Sequence, residues 1–388
     1  MKRKLLHGTD LFDVRTIENS RVALIANHTS IDKNGQSILS KYLSEKINVT
    51  AVFSLEHGFF PVAQDMESVG KENKVKGVPV YSLYGGNESS LRPDRSHFNE
   101  FDVVIYDIQD VGSRYYTYLA SLAMFMDLLE GSGKKLVVLD RINPIGGKIE
   151  GSMLQVEKYQ SFVGYFPLMH RHGLTSAEFA NYYYKSRKFT FDLEIVKIQG
   201  WTRDSYFDEY DYPWIPTSPN MPTVDAALLY PGGCLIEGTE ISEGRGTTFP
   251  FQVVGKESID PFKLKKELDR TNIQGVSFAP LEFRPMFQKC AMKRCGGVYI
   301  TLTDREKAQP FRAYIQIMQV LRKMLGDTDF FRTKAYEFIE DVPAIELLLG
   351  DEKLIDMFYN FADFREIDSY LTECEKNAEE FFKEFLFY

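Results

Sequence analysis

Through the first half of the chain, short unbroken apolar runs alternate with longer stretches whose apolar positions recur at helical spacing. Arg21–Ala26, Val49–Leu55, Asp102–Ile108, Lys135–Leu139 and Phe191–Ile198 read as strands, and the run from Asp102 is of the kind buried on both faces. Between them, Gly35–Lys46, Tyr115–Leu129 and Thr175–Ser186 read as helices. The last opens on Thr175-Ser-Ala-Glu178, a capping box in which the Thr and Glu side chains satisfy each other's orphan amides. Gly131 and Gly133 supply a stop for the helix before it. Alternation of this kind predicts an α/β fold with a doubly wound, mostly parallel sheet.

Several of these strands run straight into polar clusters. The first ends in Asn27-His-Thr-Ser30, the second in Glu56-His-Gly58, and the fourth in Asp140-Arg-Ile-Asn-Pro144. The third gives the densest, with Asp107, Gln109, Asp110, Gly112 and Arg114 within eight residues. Helix capping needs fewer hydrogen-bonding side chains than that. In a parallel sheet all four clusters converge on one edge, the edge where open α/β sheets bind ligands.

After Trp201 the pattern changes. Trp214-Ile-Pro-Thr-Ser-Pro-Asn-Met-Pro222 is Pro-rich and predicts an extended connection between domains. With 388 residues the chain is long enough for two, expected at 1–222 and 223–388. The second part carries the loop Glu237–Phe251, a strand at Gly297–Leu302, a helix after Pro310 and acidic, aromatic helices from about Asp351.

Composition narrows the function classes. A net charge of −9 excludes a general nucleic-acid binder, which needs clustered Lys and Arg. It leaves room for an anionic ligand, because one Arg can bind a carboxylate bidentately. The 30 Phe and 22 Tyr serve mainly the core, though aromatic faces also suit sugars. No run approaches membrane-spanning length, and none of signal-peptide length follows Lys2-Arg-Lys4. That points to a soluble, cytoplasmic chain, or to a secreted or periplasmic one if a signal has been trimmed. The cysteines, Cys234, Cys290, Cys295 and Cys374, lack CxxC spacing and read as free thiols.

Phosphate-binding loops of the GxxxxGK[ST] and GxGxxG types are absent, as are a GxSxG elbow and HExxH. His170-Arg-His172 is the only close His pair and reads as hydrogen-bonding rather than metal-binding. No cofactor or metal is expected. Carboxylates are better candidates: Glu56 at a strand end, and Glu243 in a loop beside Arg245. Two carboxyl groups facing a cleft, one protonated and one ionised, are the minimal machinery of glycoside hydrolysis.

The motifs themselves are specific. Glu56-His-Gly-Phe59, Gly77-Val-Pro-Val-Tyr-Ser-Leu-Tyr-Gly85, Asp107-Ile-Gln-Asp-Val-Gly-Ser-Arg-Tyr-Tyr-Thr-Tyr118 and Leu139-Asp-Arg-Ile-Asn-Pro144 closely resemble the NamZ family. So do His172-Gly-Leu-Thr175, Ser218-Pro-Asn-Met-Pro222 and Ser242-Glu-Gly-Arg-Gly-Thr-Thr248, in order between Arg21 and Phe251. That family comprises bacterial exo-β-N-acetylmuramidases, long labelled a domain of unknown function. The resemblance implies a Rossmann-like N-terminal domain, a smaller α/β C-terminal domain and an active-site cleft between them. It also implies release of N-acetylmuramic acid (MurNAc) from the non-reducing ends of peptidoglycan fragments.

Carried over residue by residue, Glu56 is the leading acid and Glu67 a further acidic position. Glu243 and Arg245 belong to the sugar pocket. On this reading Glu56 protonates the leaving oxygen, and Glu243 or Asp107 orients water or steadies the oxocarbenium-like state. Arg114, Arg141 or Arg245 reads the lactyl carboxylate. His57, Gln109, Tyr118, Asn143, His172 and Asn220 complete the expected substrate contacts. Departures are Ile142 in place of a common Pro, Phe60-Pro61 in place of Arg-Gly, and Ser176-Ala177 in place of Ile-Gly or Val-Gly. The second removes a cation beside the proposed acid. Two other readings therefore stand beside the first: a hydrolase for another acidic amino sugar, and a non-catalytic muropeptide-binding protein.

Overall fold

A computed structural model describes residues 2–60, 74–83, 91–337 and 339–388. Its strands are, in chain order, β1 (Val22–Ala26), β2 (Val49–Ser54), β3 (Lys74–Val75), β4 (Val78–Ser82), β5 (Val103–Asp107) and β6 (Lys135–Leu139). They continue with β7 (Glu150–Met153), β8 (Met169–Arg171), β9 (Asp192–Val196), β10 (Val253–Lys256), β11 (Val276–Phe283) and β12 (Cys295–Leu302). The main sheet has the order β3-β4-β2-β1-β5-β6-β9, and every pairing except β3 with β4 is parallel. All five strands expected from the apolar runs are in it. The chain winds outward from β1 through β2 to β4, then returns to the other side of β1 and winds out again through β5, β6 and β9. This is the doubly wound α/β architecture.

Alternation along the strands sends side chains to two cores. Val22, Leu24, Val103, Ile105, Val137 and Leu139 face one, under the helix Ile38–Ser44. Ala23, Ile25, Val104, Tyr106, Leu136 and Val138 face the larger one, under the helices Tyr118–Leu129 and Ser176–Arg187. Burial on both faces explains why these strands lack a polar alternation. The expected capping box is formed: Thr175 Oγ1 accepts from Glu178 N at 3.2 Å, and Glu178 Oε2 from Thr175 N at 3.0 Å.

The helix expected from Tyr115 starts instead at Tyr118. Tyr115, Tyr116 and Thr117 form a turn ahead of it, and that turn becomes a wall of the site.

The winding reverses between β1 and β5, where such folds usually open a ligand crevice. Here the protein's own side chains fill it. Asn27 Oδ1 accepts from Thr29 N and Oγ1 at 2.9 and 2.6 Å, Thr29 Oγ1 accepts from Gln109 N at 3.2 Å, and Ser30 Oγ donates to Asp107 O. A cleft opens instead at the end of the neighbouring β2.

The segment Trp214–Pro222 lies across these strand ends. Tyr116 OH donates to Thr217 Oγ1 at 2.7 Å, Tyr118 OH to Thr217 O at 2.8 Å, and His28 Nε2 lies 2.6 Å from Pro216 O. Beyond it, the antiparallel sheet β10-β12-β11 packs against the helix Pro261–Asp269, which in turn contacts the helix Pro310–Leu325, giving the smaller C-terminal domain its own sheet. The last residues return to the first sheet, where Tyr388 OH donates to Asp140 Oδ2 at 2.7 Å.

Candidate active site

A narrow cleft opens where the end of β2 meets the loops of the C-terminal domain. Glu56 and His57 follow β2 after Leu55, both buried at 6% exposure. His57 has φ +72° and Gly58 φ +88°, a left-handed turn that is strained for a histidine and swings the chain aside just after Glu56. Thr117 Oγ1 donates to Glu56 Oε2 at 2.5 Å, so the turn ahead of the helix Tyr118–Leu129 fixes the orientation of the carboxyl. Ser218, Asn220 and Met221 of the Pro-rich segment supply a second wall.

The third wall comes from the C-terminal domain. Glu237, in the tight turn Cys234–Gly238, borders the same cleft as Glu56. Its carboxylate accepts from Arg245 Nη2 at 2.5 Å and from Tyr336 OH at 2.7 Å. Burial pushes this carboxyl up, but the Arg245 charge and these hydrogen bonds outweigh it and hold the group below its ordinary value. Glu237 is therefore the ionised member. Glu337 also borders the cleft, buried and at φ +47°.

Glu243 stands behind this wall. It lies in a separate hollow, with Oε2 2.6 Å from Lys289 Nζ and Oε1 3.4 Å from Arg245 Nε. Lys289 is anchored in turn on Ile236 O and Thr239 O at 2.9 and 3.2 Å. Charges alternate from Lys289 through Glu243 and Arg245 to Glu237, and only the last two reach the cleft.

Family models for the exo-β-N-acetylmuramidase NamZ match this chain over residues 22–225 (N-terminal) and 228–388 (C-terminal). The chain belongs to the NamZ family. It is 37% identical over 327 residues to the peptidoglycan β-N-acetylmuramidase NamZ of Bacillus subtilis, covering 83% of this chain and 78% of that one. Two DUF1343 family proteins of Bacteroides fragilis with crystal structures share the fold. One superposes with TM-score 0.88 at 27% identity over the full length of both chains, the other with 0.77 at 30% over 99% of each.

Set in this NamZ-family fold, the expected site residues separate. Glu56, His57, Asn220 and Arg245 line the cleft together. Glu67 lies outside the described residues. The others named from the sequence do not line this cleft, and their side chains bond within the fold. Arg114 donates to Leu168 O at 3.3 Å and Leu348 O at 2.6 Å, so its guanidinium joins backbone carbonyls of the two domains. Arg141 pairs with Asp107 at 2.6 Å at full burial and donates to Ile31 O at 2.9 Å. Gln109 donates to Asp110 O and Ile142 O, and Asn143 to Leu174 O.

Tyr118 accepts from Asn27 Nδ2 at 3.2 Å besides binding Thr217. His172 Nδ1 accepts from Leu174 N at 3.1 Å, with Nε2 3.4 Å from Asp110 Oδ2. Gly112 shows why this region is so constrained: at φ +84°, a Cβ there would stand 2.3 Å from Asn143 Oδ1. The sequence reading missed Thr117, Glu237, Tyr336 and Glu337. Glu237 lay within the loop singled out at Glu237–Phe251, whereas Tyr336 and Glu337 come from a stretch without any periodic or motif signal. Among the described residues no cluster of three or more His, Cys, Asp or Glu is arranged to hold a metal, and no helix is long and apolar enough to cross a membrane.

Proposed function

We propose that this chain is an exo-β-N-acetylmuramidase that removes a terminal MurNAc from peptidoglycan-derived fragments, with Glu56 as general acid. The observation that carries this reading is that Glu56 and Glu237 line one cleft, the first held by a Thr hydroxyl and the second kept ionised by Arg245. Glu56 delivers a proton to the glycosidic oxygen as the bond to the anomeric carbon breaks, and water adds to that carbon and gives up a proton, releasing MurNAc. The negative charge of Glu237 steadies the oxocarbenium-like state in the same cleft. Arg245 is the one Lys or Arg among the described lining residues, and it is the group that meets the lactyl carboxylate. Membership of the NamZ family, with a relative named for this activity, supports the same assignment.

The test uses two substrates, MurNAc-β-1,4-GlcNAc and β-MurNAc fluoride. The sugar leaving group needs a proton and fluoride does not. Glu56→Gln is expected to lose disaccharide turnover by about 10²–10⁴-fold, the range of general acid catalysis, while keeping most of its fluoride hydrolysis. Equal loss on both substrates would remove Glu56 from the acid role.

A further inference from the structure

We infer that the open hollow beyond Asn220 is the subsite for the sugar that leaves, with Phe249 as its stacking platform. This rests on the muramidase reading and extends it to the other half of the substrate. Asn220 borders both the cleft and this hollow, which also holds Thr247, Phe249, Leu281, Phe283 and Met286. An enzyme acting on a terminal sugar needs a closed place for that sugar and an open side for the rest of the fragment. Two other hollows touch the cleft, and among their described lining residues neither carries a large apolar side chain as exposed as Phe249 or Met286. The one at Glu237 is lined by Glu240, Glu243, Lys289, Arg332 and Lys334, a charged surface. In the one at Glu337, Leu91, Met124 and Phe162 are all buried in a small core of their own.

The hollow at Asn220 differs in kind. Phe249 is 42% exposed and Met286 59%, two large apolar side chains at one cleft mouth. Single exposed apolar residues need no explanation, but these two line one hollow beside a polar cleft, an arrangement suited to binding. Both are set in place by the fold. Phe249 N donates to Thr247 Oγ1 at 3.0 Å, Thr247 Oγ1 donates to Gly244 O at 2.6 Å, and the Phe249 ring stands at 89° to Tyr299 with centroids 5.4 Å apart. Met286 N donates to Gly246 O at 2.9 Å, tying the two sides of the hollow together. A pyranose with equatorial substituents has an apolar C–H face for such a ring and a hydroxyl edge for Asn220 and Thr247. The platform exists before the ligand arrives, so little ordering cost falls on binding.

Phe249→Ala tests this, assayed beside wild type on MurNAc-β-1,4-GlcNAc and on β-MurNAc fluoride, whose one-atom leaving group does not reach the hollow. The expected result is a loss of about tenfold in kcat/KM on the disaccharide, the size of a lost aromatic contact, with fluoride hydrolysis within about twofold of wild type. Met286→Ala should show the same selectivity at smaller size. An equal loss on both substrates, or no loss on either, overturns the subsite while the muramidase reading stands. Wild type that cleaves neither substrate overturns the muramidase reading, and the subsite with it.

Discussion

Arg245 donates to Glu237 at 2.5 Å while its Nε lies 3.4 Å from Glu243. One guanidinium thus divides two carboxylates that stand close together in the sequence, and only Glu237 borders the cleft shared with Glu56. The roles should separate on substitution. Glu237→Gln removes the charge facing the substrate and is expected to cost about 10²–10³-fold in kcat, the usual size of a lost electrostatic contact to a transition state. Glu243→Gln leaves Arg245 bound to Glu237 and should cost less than about tenfold, because the pair it breaks with Lys289 lies behind the wall. Steady-state kinetics on the disaccharide decide this. A Glu243→Gln variant as impaired as Glu237→Gln would return Glu243 to the centre of the site.

Thr117 acts through Glu56, holding one carboxyl oxygen at 2.5 Å from a buried position. A positioning residue changes kcat more than KM, since it orients the acid without binding the sugar. Thr117→Val should lower kcat by about tenfold with KM near wild type, and Thr117→Ser, which keeps the hydroxyl, should restore most of it. Fluoride hydrolysis, which bypasses the acid, should be unaffected by either change. If Thr117→Ser is as slow as Thr117→Val, the hydroxyl is not the operative group.

The parallel sheet was legible because buried central strands leave a strong signal: β1, β5 and β6 are almost wholly apolar, while the edge strand β9 alternates Leu193 and Ile195 with Asp192 and Glu194. β7 and β8 hide because their interior positions are polar, with Glu150, Ser152, His170 and Arg171 all buried. The polar strand ends are plain in the sequence, but residue type does not sort those that line the cleft from those that fill the fold. Asp107, Gln109, Arg114, Arg141 and Asn143 are as polar as any site residue, yet each spends its hydrogen bonds inside the fold. What distinguishes them from Glu56 is which neighbour arrives from elsewhere in the chain. Leu348 meets Arg114 across 234 positions, and Tyr336 meets Glu237 across 99. Local pattern carries no record of those distant meetings.

His170 gives a pH dependence of stability. Ser152 N donates to its Nδ1 at 2.9 Å, leaving the proton on Nε2, which faces Leu349 O at 2.9 Å. Burial, and then the nearby Arg114 charge, push its pKa well below the ordinary value of 6.5. The folded state thus keeps a neutral ring while the unfolded chain takes up a proton. The stability this confers is complete above pH ~6.5 and is lost as pH falls from there toward the folded-state value, by up to ~1.4 kcal/mol per unit. Urea unfolding at pH 7.5 and 5.5 should show the loss in wild type. His170→Asn, which keeps an acceptor for Ser152, should be less stable at both pH values but lose less between them. An unchanged difference would exonerate His170.

The buried pair of Arg171 and Glu150 carries the largest predicted stability effect. Arg171 Nη1 lies 2.6 Å from Glu150 Oε1, with side-chain exposures of 1% and 4%. Arg171 also donates to Ile145 O, and Glu150 Oε2 accepts from Phe311 N at 3.1 Å. The pair therefore joins β7 and β8 to the first turn of the helix Pro310–Leu325, from the other end of the chain. Arg171→Met removes the cation and strands a carboxylate where water does not reach, at a cost of ~3–5 kcal/mol. Glu150→Leu with Arg171→Met removes both charges and should be more stable than Arg171→Met alone, although Phe311 N then loses its acceptor. Urea midpoints at pH 7.5, compared at constant slope, measure both differences. A single Arg171→Met variant within ~1 kcal/mol of wild type would show that Glu150 finds another partner or a proton at little cost.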